Sequence, residues 1–67
     1  MLCEIISEIK GAIINLPIQS DINVSRDDYI EINNVRYVVR QKEYILKTEN
    51  NPTERQVYIT RIVIYVM

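Results

Sequence analysis

Hydrophobic residues in the second half of the chain recur in the pattern of β-strands. From residue 29 onward they alternate with polar residues or form short apolar blocks, which predicts strands over residues 29–32, 35–39, 44–48 and 57–67. The last strand carries no polar side chain on either face from residue 62 to residue 67. Such a strand needs cover on both faces, and one helix covers only one. We therefore expect a second protein chain there, with an oligomer interface at Ile62, Ile64, Tyr65 and Val66.

The first sixteen residues have the spacing of an amphipathic helix. Apolar side chains recur every three or four positions, at Leu2, Ile5, Ile6, Ile9, Ala12, Ile13 and Leu16. Pro17 would end the helix, and Gly11 would cost it about 1 kcal/mol relative to alanine. We expect this stripe to pack on one face of the sheet. A helix lying on a membrane surface is the alternative, but Glu4 and Glu8 against Lys10 do not give the basic face that such helices carry.

A hairpin is predicted at Asn33 and Asn34, since asparagine tolerates the positive φ of a two-residue turn. Such a turn fixes the cross-strand pairs as Ile32 with Val35, Glu31 with Arg36, Ile30 with Tyr37 and Tyr29 with Val38. In this register the apolar residues share one face and the charged residues share the other. An opposite-charge pair in the same register supports it.

The remaining segments have weaker sequence patterns. Residues 18–24 are a weak strand or an extended connector, residues 25–28 a turn, and residues 49–54 a loop. A β-bulge near residues 41–43 would keep Glu43 off the core face. In the last hairpin we expect Val57 near Leu46 and Ile59 near Tyr44. The last strand, continuing past this hairpin, could lie beside residues 35–39.

The predicted fold is therefore α+β, with an N-terminal amphipathic helix packed on an antiparallel meander of three to four strands. It forms one domain over residues 1–67, with the helix at 1–16 and the meander at 18–67.

Composition restricts both stability and function. The 67 residues include one cysteine and no histidine, so no intrachain disulfide can form and an ordinary zinc site is not expected. A domain this small is marginally stable, which favours oligomerisation or docking on a larger partner. The net charge of −1 argues against binding to duplex nucleic acid. No apolar stretch suggests a membrane span or a signal peptide, so the expected compartment is cytoplasmic.

Catalytic chemistry is not indicated. There is no histidine for proton transfer, Cys3 lies beside a carboxylate, and the single glycine excludes a glycine-rich phosphate loop. The acidic residues Asp21, Asp27, Asp28 and Glu31 lack the spacing of a calcium loop. We expect no enzyme activity, no cofactor and no metal.

One face of the hairpin is a candidate partner or ligand surface. It carries Tyr29, Arg36, Val38 and Arg40, with Lys42 close by. Three interpretations remain open: an ordinary solvated face, a protein interface with tyrosine and arginine at its centre, or a site for a nucleotide or single-stranded nucleic acid.

The pattern of residues 28–40, with an apolar helix before it and another hairpin after it, resembles small α+β proteins common in bacteriophage genomes. Some of those are virion components at the head-to-tail junction, and others bind and inhibit host factors, including bacterial defence systems. This chain lacks the glycine often found at Asn34, and the resemblance transfers no functional residue.

The residue pattern favours a non-enzymatic, homo-oligomeric module that binds a protein partner. The resemblance implies a phage inhibitor of a host factor, or a virion or assembly protein of the head-to-tail junction, in the bacterial cytoplasm. The alternative is an oligomer that holds a nucleotide between subunits through Arg36, Arg40 and nearby tyrosines.

Overall fold

The computed structural model describes residues 1–50 and 55–67, and in these residues it contains five strands and no helix. The strands are β1 (Leu2–Ser7), β2 (Gly11–Pro17), β3 (Tyr29–Ile32), β4 (Val35–Asn50) and β5 (Arg55–Val66). They form one curled sheet in the order β2-β1-β5-β4-β3. All neighbours are antiparallel except β1 and β5, which run parallel.

The predicted α+β fold is therefore wrong, and so is the helix at residues 1–16. That segment is a β-hairpin, in which Cys3, Ile5 and Ser7 are buried at every second position. The Ser7 hydroxyl accepts hydrogen bonds from the amides of Ile9 and Lys10, at 3.2 and 3.1 Å, and so closes the turn. Branched isoleucine side chains favour an extended backbone over a helix once a sheet is available to pair with.

The N-terminal hairpin gives the sheet both parallel and antiparallel neighbours. Gly11 begins β2 with φ of 81°, a conformation that turns the chain back and that glycine adopts without strain. The returning hairpin places β1 beside β5 in parallel register, with Leu2 opposite Arg61 and Ser7 opposite Val66. The sheet is thus larger than the predicted three to four strands and not purely antiparallel.

The register and the turn of the central hairpin are confirmed. Its four cross-strand pairs are the predicted ones, and Asn33 and Asn34 have φ of 51° and 67°. Tyr37 and Val39 are buried on the predicted apolar face.

The bulge of β4 is present one residue earlier than predicted. The register shifts between Val39 and Gln41, so Arg40 is the extra residue. A second shift in register lies between Ile45 and Leu46, where Thr60 is the extra residue of β5.

The predicted register of the last hairpin is wrong by two residues, since Leu46 pairs with Ile59 and Val57 pairs with Thr48. The reason is that β4 continues through Glu49 and Asn50, which were predicted to be loop. Residues 51–54 of that predicted loop lie outside the described residues. β5 reaches the 35–39 segment only at its end, where Val66 pairs with Val39.

The core lies on the inner face of the curled sheet. It is made of buried side chains from β1, β4 and β5: Cys3, Ile5, Tyr37, Val39, Ile62, Ile64 and Val66. The connector, residues 18–28, contains no strand and lies against this core with half-buried Ile18, Ile22 and Val24. The predicted turn at residues 25–28 is confirmed, because the amide of Asp28 donates to the carbonyl of Ser25 at 3.0 Å.

Candidate protein-binding surface

The residues predicted to form an oligomer interface lie in the centre of the sheet. Ile62, Ile64 and Val66 have no solvent exposure, and Tyr65 is half-buried. Both edges of β5 from Arg61 to Val66 are occupied, by β1 on one side and β4 on the other. On the outer face Val63 is also buried, between its strand partners Glu4 and Glu43. In the single chain Ile62, Val63, Ile64 and Val66 are therefore already buried, whereas Tyr65 keeps part of its surface exposed.

The predicted partner surface is divided by the bulge. On the outer face of the hairpin, Tyr29 is exposed and lies opposite the half-buried Val38. The Arg36 guanidinium carbon lies 4.8 Å from the centre of the Tyr29 ring, which is a cation–π contact. Arg40 belongs to a different environment, because the bulge places it in a polar cavity.

This cavity has a volume of about 300 Å³ and is lined by Glu8, Arg26, Arg40, Gln41, Glu43 and Tyr65. Arg26 belongs to the 25–28 turn, which is fixed to β4 by a 2.8 Å hydrogen bond from the Asp27 amide to the Val39 carbonyl. The Gln41 amide donates to the Glu43 carboxylate at 2.9 Å. In the part of the chain that the structure describes, neither Arg26 nor Arg40 forms an ion pair.

A two-stranded arm extends beyond the rest of the sheet. We define the arm as residues 46–50 of β4 and 55–60 of β5, which pair with each other but reach neither β1 nor β3. The chain measures 48 × 20 × 19 Å, with a radius of gyration of 14.1 Å. A compact domain of this length would have a radius of gyration of about 11 Å. The arm accounts for this elongation.

Large apolar side chains are exposed on and beside the arm. We call this group the apolar patch; its members and their exposed fractions are Tyr44 45%, Ile45 44%, Leu46 54%, Val57 63% and Tyr58 41%. Because successive residues of a strand point to opposite faces, Tyr44 and Leu46 lie on the face of the core, and Ile45 lies on the other. The apolar patch is therefore divided between the two faces of the sheet. The arm itself is a two-stranded ribbon, which is marginally stable alone.

The outer edge of β4 is open next to the patch. β3 pairs with β4 only as far as Val38, and the connector continues this pairing at Val39. Among the described residues, no strand pairs with this edge from Arg40 to Asn50. An open strand edge presents unpaired amide and carbonyl groups to another chain.

The base of the arm is held by a polar cluster. Lys42 Nζ lies 3.0 Å from a carboxylate oxygen of Asp21 and donates to the Ile22 carbonyl at 2.6 Å. The Tyr44 hydroxyl donates to the other Asp21 oxygen at 2.6 Å, and Lys42 Nζ lies 4.8 Å from the centre of the Tyr44 ring. The sequence pattern does not predict this cluster, because it joins residues 20 to 23 positions apart.

The cluster changes the acidity of its members. The hydrogen bonds from Tyr44 and Lys42 hold the pKa of Asp21 below its ordinary value, since they favour the charged carboxylate. For Lys42, burial acts to lower the pKa, but the interactions with Tyr44 and Asp21 together outweigh it, and the pKa is raised. Both shifts favour the charged pair.

Residues with possible chemical reactivity are few. Cys3 is 1% exposed, and burial raises the pKa of its thiol, an effect that the positive charge of Lys42 partly opposes. Within residues 1–50 and 55–67, no three carboxylate or thiol groups come together as metal ligands do. The same residues include no helix long and apolar enough to cross a membrane.

Comparisons with protein-family models, with curated proteins and with solved structures gave no match. Sequence reasoning missed the apolar patch, although a signal was present: Tyr44-Ile45-Leu46 and Val57-Tyr58-Ile59 each place three apolar residues in succession, so both faces of each strand are apolar.

Proposed function

We propose that this protein is a non-enzymatic binding module that recognises another protein chain through the arm. The observation that supports this function is the apolar patch, whose five side chains are each at least 41% exposed. Tyrosine is enriched at the centres of protein interfaces, and the patch contains two tyrosines next to aliphatic residues. An inhibitor of a host factor and an assembly protein would both use such a surface.

The shape of the arm favours binding to another chain, which would cover the exposed apolar side chains. The arm and its base present apolar side chains on both faces of the sheet, next to the open edge of β4, so a partner can add a strand and cover side chains at once. The core remains on the other side of the Asp21 cluster, at the base of the arm. Docking on the arm therefore requires no rearrangement of the buried side chains.

The proposal is tested by affinity capture from a host lysate with matched variants. Leu46→Asp places a charge in the patch, while Leu16→Asp changes a residue of β2 that is 58% exposed and lies away from the arm. We expect the wild type and Leu16→Asp to retain the same protein, and Leu46→Asp to lose it. Equal retention by all three proteins would rule out the arm as the binding surface.

A second candidate function is binding of a small anionic ligand, such as a nucleotide, in the polar cavity. Arg26 and Arg40, which form no ion pair within the described residues, line this cavity together with Tyr65 and the carboxylates Glu8 and Glu43. A guanidinium can bind a phosphate with two hydrogen bonds, and a tyrosine ring can stack on a base. Thermal-shift measurements with mononucleotides should then show stabilisation that Arg40→Gln removes and Arg36→Gln does not. The absence of stabilisation by any nucleotide would exclude this function.

A further inference from the structure

We infer that the outer edge of β4 pairs antiparallel with the same edge of a second copy of this chain, centred on Ile45. This inference rests on the proposed function, because it names one partner of the arm. Within residues 1–50 and 55–67, no strand pairs with this edge from Arg40 to Asn50, and the edge contains neither proline nor glycine. A two-fold axis would join two such edges into one continuous sheet.

The hydrogen bonding of β4 limits the registers that this pairing can take. Val38 exchanges backbone hydrogen bonds with Met67 of its own chain, whereas Val39 exchanges them with the connector. This alternation and the bulge at Arg40 direct the backbone groups of Lys42, Tyr44, Leu46 and Thr48 away from β5. In an antiparallel pair of identical edges, outward residues must face outward residues. The axis must therefore pass through a residue and not between two residues.

Among the registers that place Glu43 opposite a residue of the second copy's open edge, only the one centred on Ile45 brings opposite charges together. It places Glu43 opposite Lys47 of the second copy, and the two-fold axis repeats this pair on the other side. Centring on Leu46 instead would place Glu43 opposite the second copy's Glu49, which is repulsive. Centring on Tyr44 would place Glu43 opposite an isoleucine. Opposite charges stabilise a cross-strand pair, and like charges destabilise it.

The same register also pairs the apolar residues. Tyr44 falls opposite Leu46 of the second copy on the core face, and Ile45 falls opposite its own symmetry mate on the outer face. These three residues are 44–54% exposed in the single chain. The register thus matches charge to charge and apolar to apolar on both faces, which is how strand pairing is specified.

Within one chain, Glu43 and Lys47 do not form an ion pair with each other. They are four residues apart on one strand, a separation of roughly 13 Å, which is too long for an ion pair. No ion pair of either residue occurs in the described ranges, and Glu43 accepts only a hydrogen bond from Gln41. A second copy supplies the opposite charge that each lacks.

Charge reversal tests this register. In a dimer of Glu43→Lys, both pairs of residue 43 with residue 47 across the interface become lysine with lysine. In a dimer of Lys47→Glu, both become glutamate with glutamate. We expect each variant alone to dimerise at least about tenfold more weakly than the wild type in sedimentation velocity. Mixing the two variants recreates opposite charges in both pairs and should give a heterodimer. The double variant Glu43→Lys/Lys47→Glu should dimerise as the wild type does.

The matched control is Glu49→Lys, which reverses a charge on the same face of the same strand but faces Gln41 of the second copy in this register. Its dimer affinity should stay within about threefold of the wild type. Dimerisation of the wild type should also weaken at high salt, a readout that needs no substitution. Circular dichroism of each variant establishes that its sheet is intact.

A wild type that stays monomeric at high micromolar concentration would overturn the inference, and so would a mixture of Glu43→Lys and Lys47→Glu that forms no heterodimer. Failure of this pairing is distinct from failure of the proposed function. A monomeric wild type that captures a partner protein lost by Leu46→Asp would retain the proposed function and reject only the second copy.

Discussion

The Asp21 carboxylate lies 3.0 Å from Lys42 Nζ, and this contact fastens the connector to β4 at the base of the arm. Tyr44 donates to the same carboxylate, so both residues bound to Asp21 come from β4. The connector crosses the inner face of the sheet and covers the core with Ile18, Ile22 and Val24. The Asp21–Lys42 pair therefore helps to keep this cover in place.

We expect the stability of the protein to depend on Asp21 at acidic pH. The folded-state pKa of Asp21 is lowered, so its contribution is present above the unfolded-state pKa and is lost as pH falls through the folded-state value. Asp21→Asn should lower the denaturation midpoint at neutral pH, and its midpoint should fall less than that of the wild type below about pH 4. Urea denaturation at several pH values measures this difference.

Glu8→Gln is the control for this prediction, because it removes an exposed carboxylate from the β1–β2 turn, away from the cluster. It should leave the acid dependence close to that of the wild type. A wild type and an Asp21→Asn variant with parallel pH profiles would show that the charge of Asp21 does not contribute to the acid dependence of stability.

Two lysine substitutions distinguish the core from the arm. Ile64 has no solvent exposure, so Ile64→Lys buries an unpaired charge and should cost more than about 4 kcal/mol, enough to unfold a domain of this size. Leu46 is 54% exposed, and Leu46→Lys should leave the sheet folded. Circular dichroism and thermal denaturation separate the two outcomes. A folded Ile64→Lys protein with altered association would instead place Ile64 at an interface between chains.

The central hairpin was predictable because its determinants are local. Asn33 and Asn34 specify the turn, and the turn fixes the register of the strands on both sides. The alternation of apolar and charged residues then decides which face is buried. No distant part of the chain is needed for this argument, so the sequence was sufficient.

The N-terminal hairpin was not predictable from spacing alone. Seven apolar positions fit a helix, yet the competing pattern, in which Cys3, Ile5 and Ser7 alternate, fits a strand equally well. Pairing with β5 decides between helix and strand. β5 lies nearly sixty residues away in sequence and pairs with β1 in parallel. Helix propensity is too weak to resist such tertiary pairing, and branched isoleucines already favour the strand.

The candidate surface was predictable only in part. Tyr29, Arg36 and Val38 were assigned to one face of the hairpin, and the structure places them there. The arm was missed because the length of β4 depends on its pairing with β5 through Asn50, and a run of polar residues at 47–50 gives no local sign of a strand.

Gly11 provides a test of the turn that replaced the predicted helix. Its φ is 81°, and a β-carbon added there would meet no atom within 4 Å, so only the backbone conformation opposes a side chain. Gly11→Ala should destabilise the protein by about 1–2 kcal/mol. Gly11→Asn should cost less, since asparagine tolerates positive φ. Had the segment been a helix, alanine would have stabilised it, so the sign of the change in denaturation midpoint decides the matter.

The thiol of Cys3 reports on the integrity of the β1–β5 pairing. Cys3 is 1% exposed opposite Ile62, and burial raises its pKa, so little thiolate is present at neutral pH. We expect the folded protein to react with a thiol reagent far more slowly than the unfolded chain, at a rate that follows opening of the sheet. An exposed thiol, Gln19→Cys in a Cys3→Ala background, should react at once and serves as the control. Rapid modification of Cys3 in the folded protein would show that β1 separates from β5 readily, and that the parallel pair contributes little to holding the sheet together.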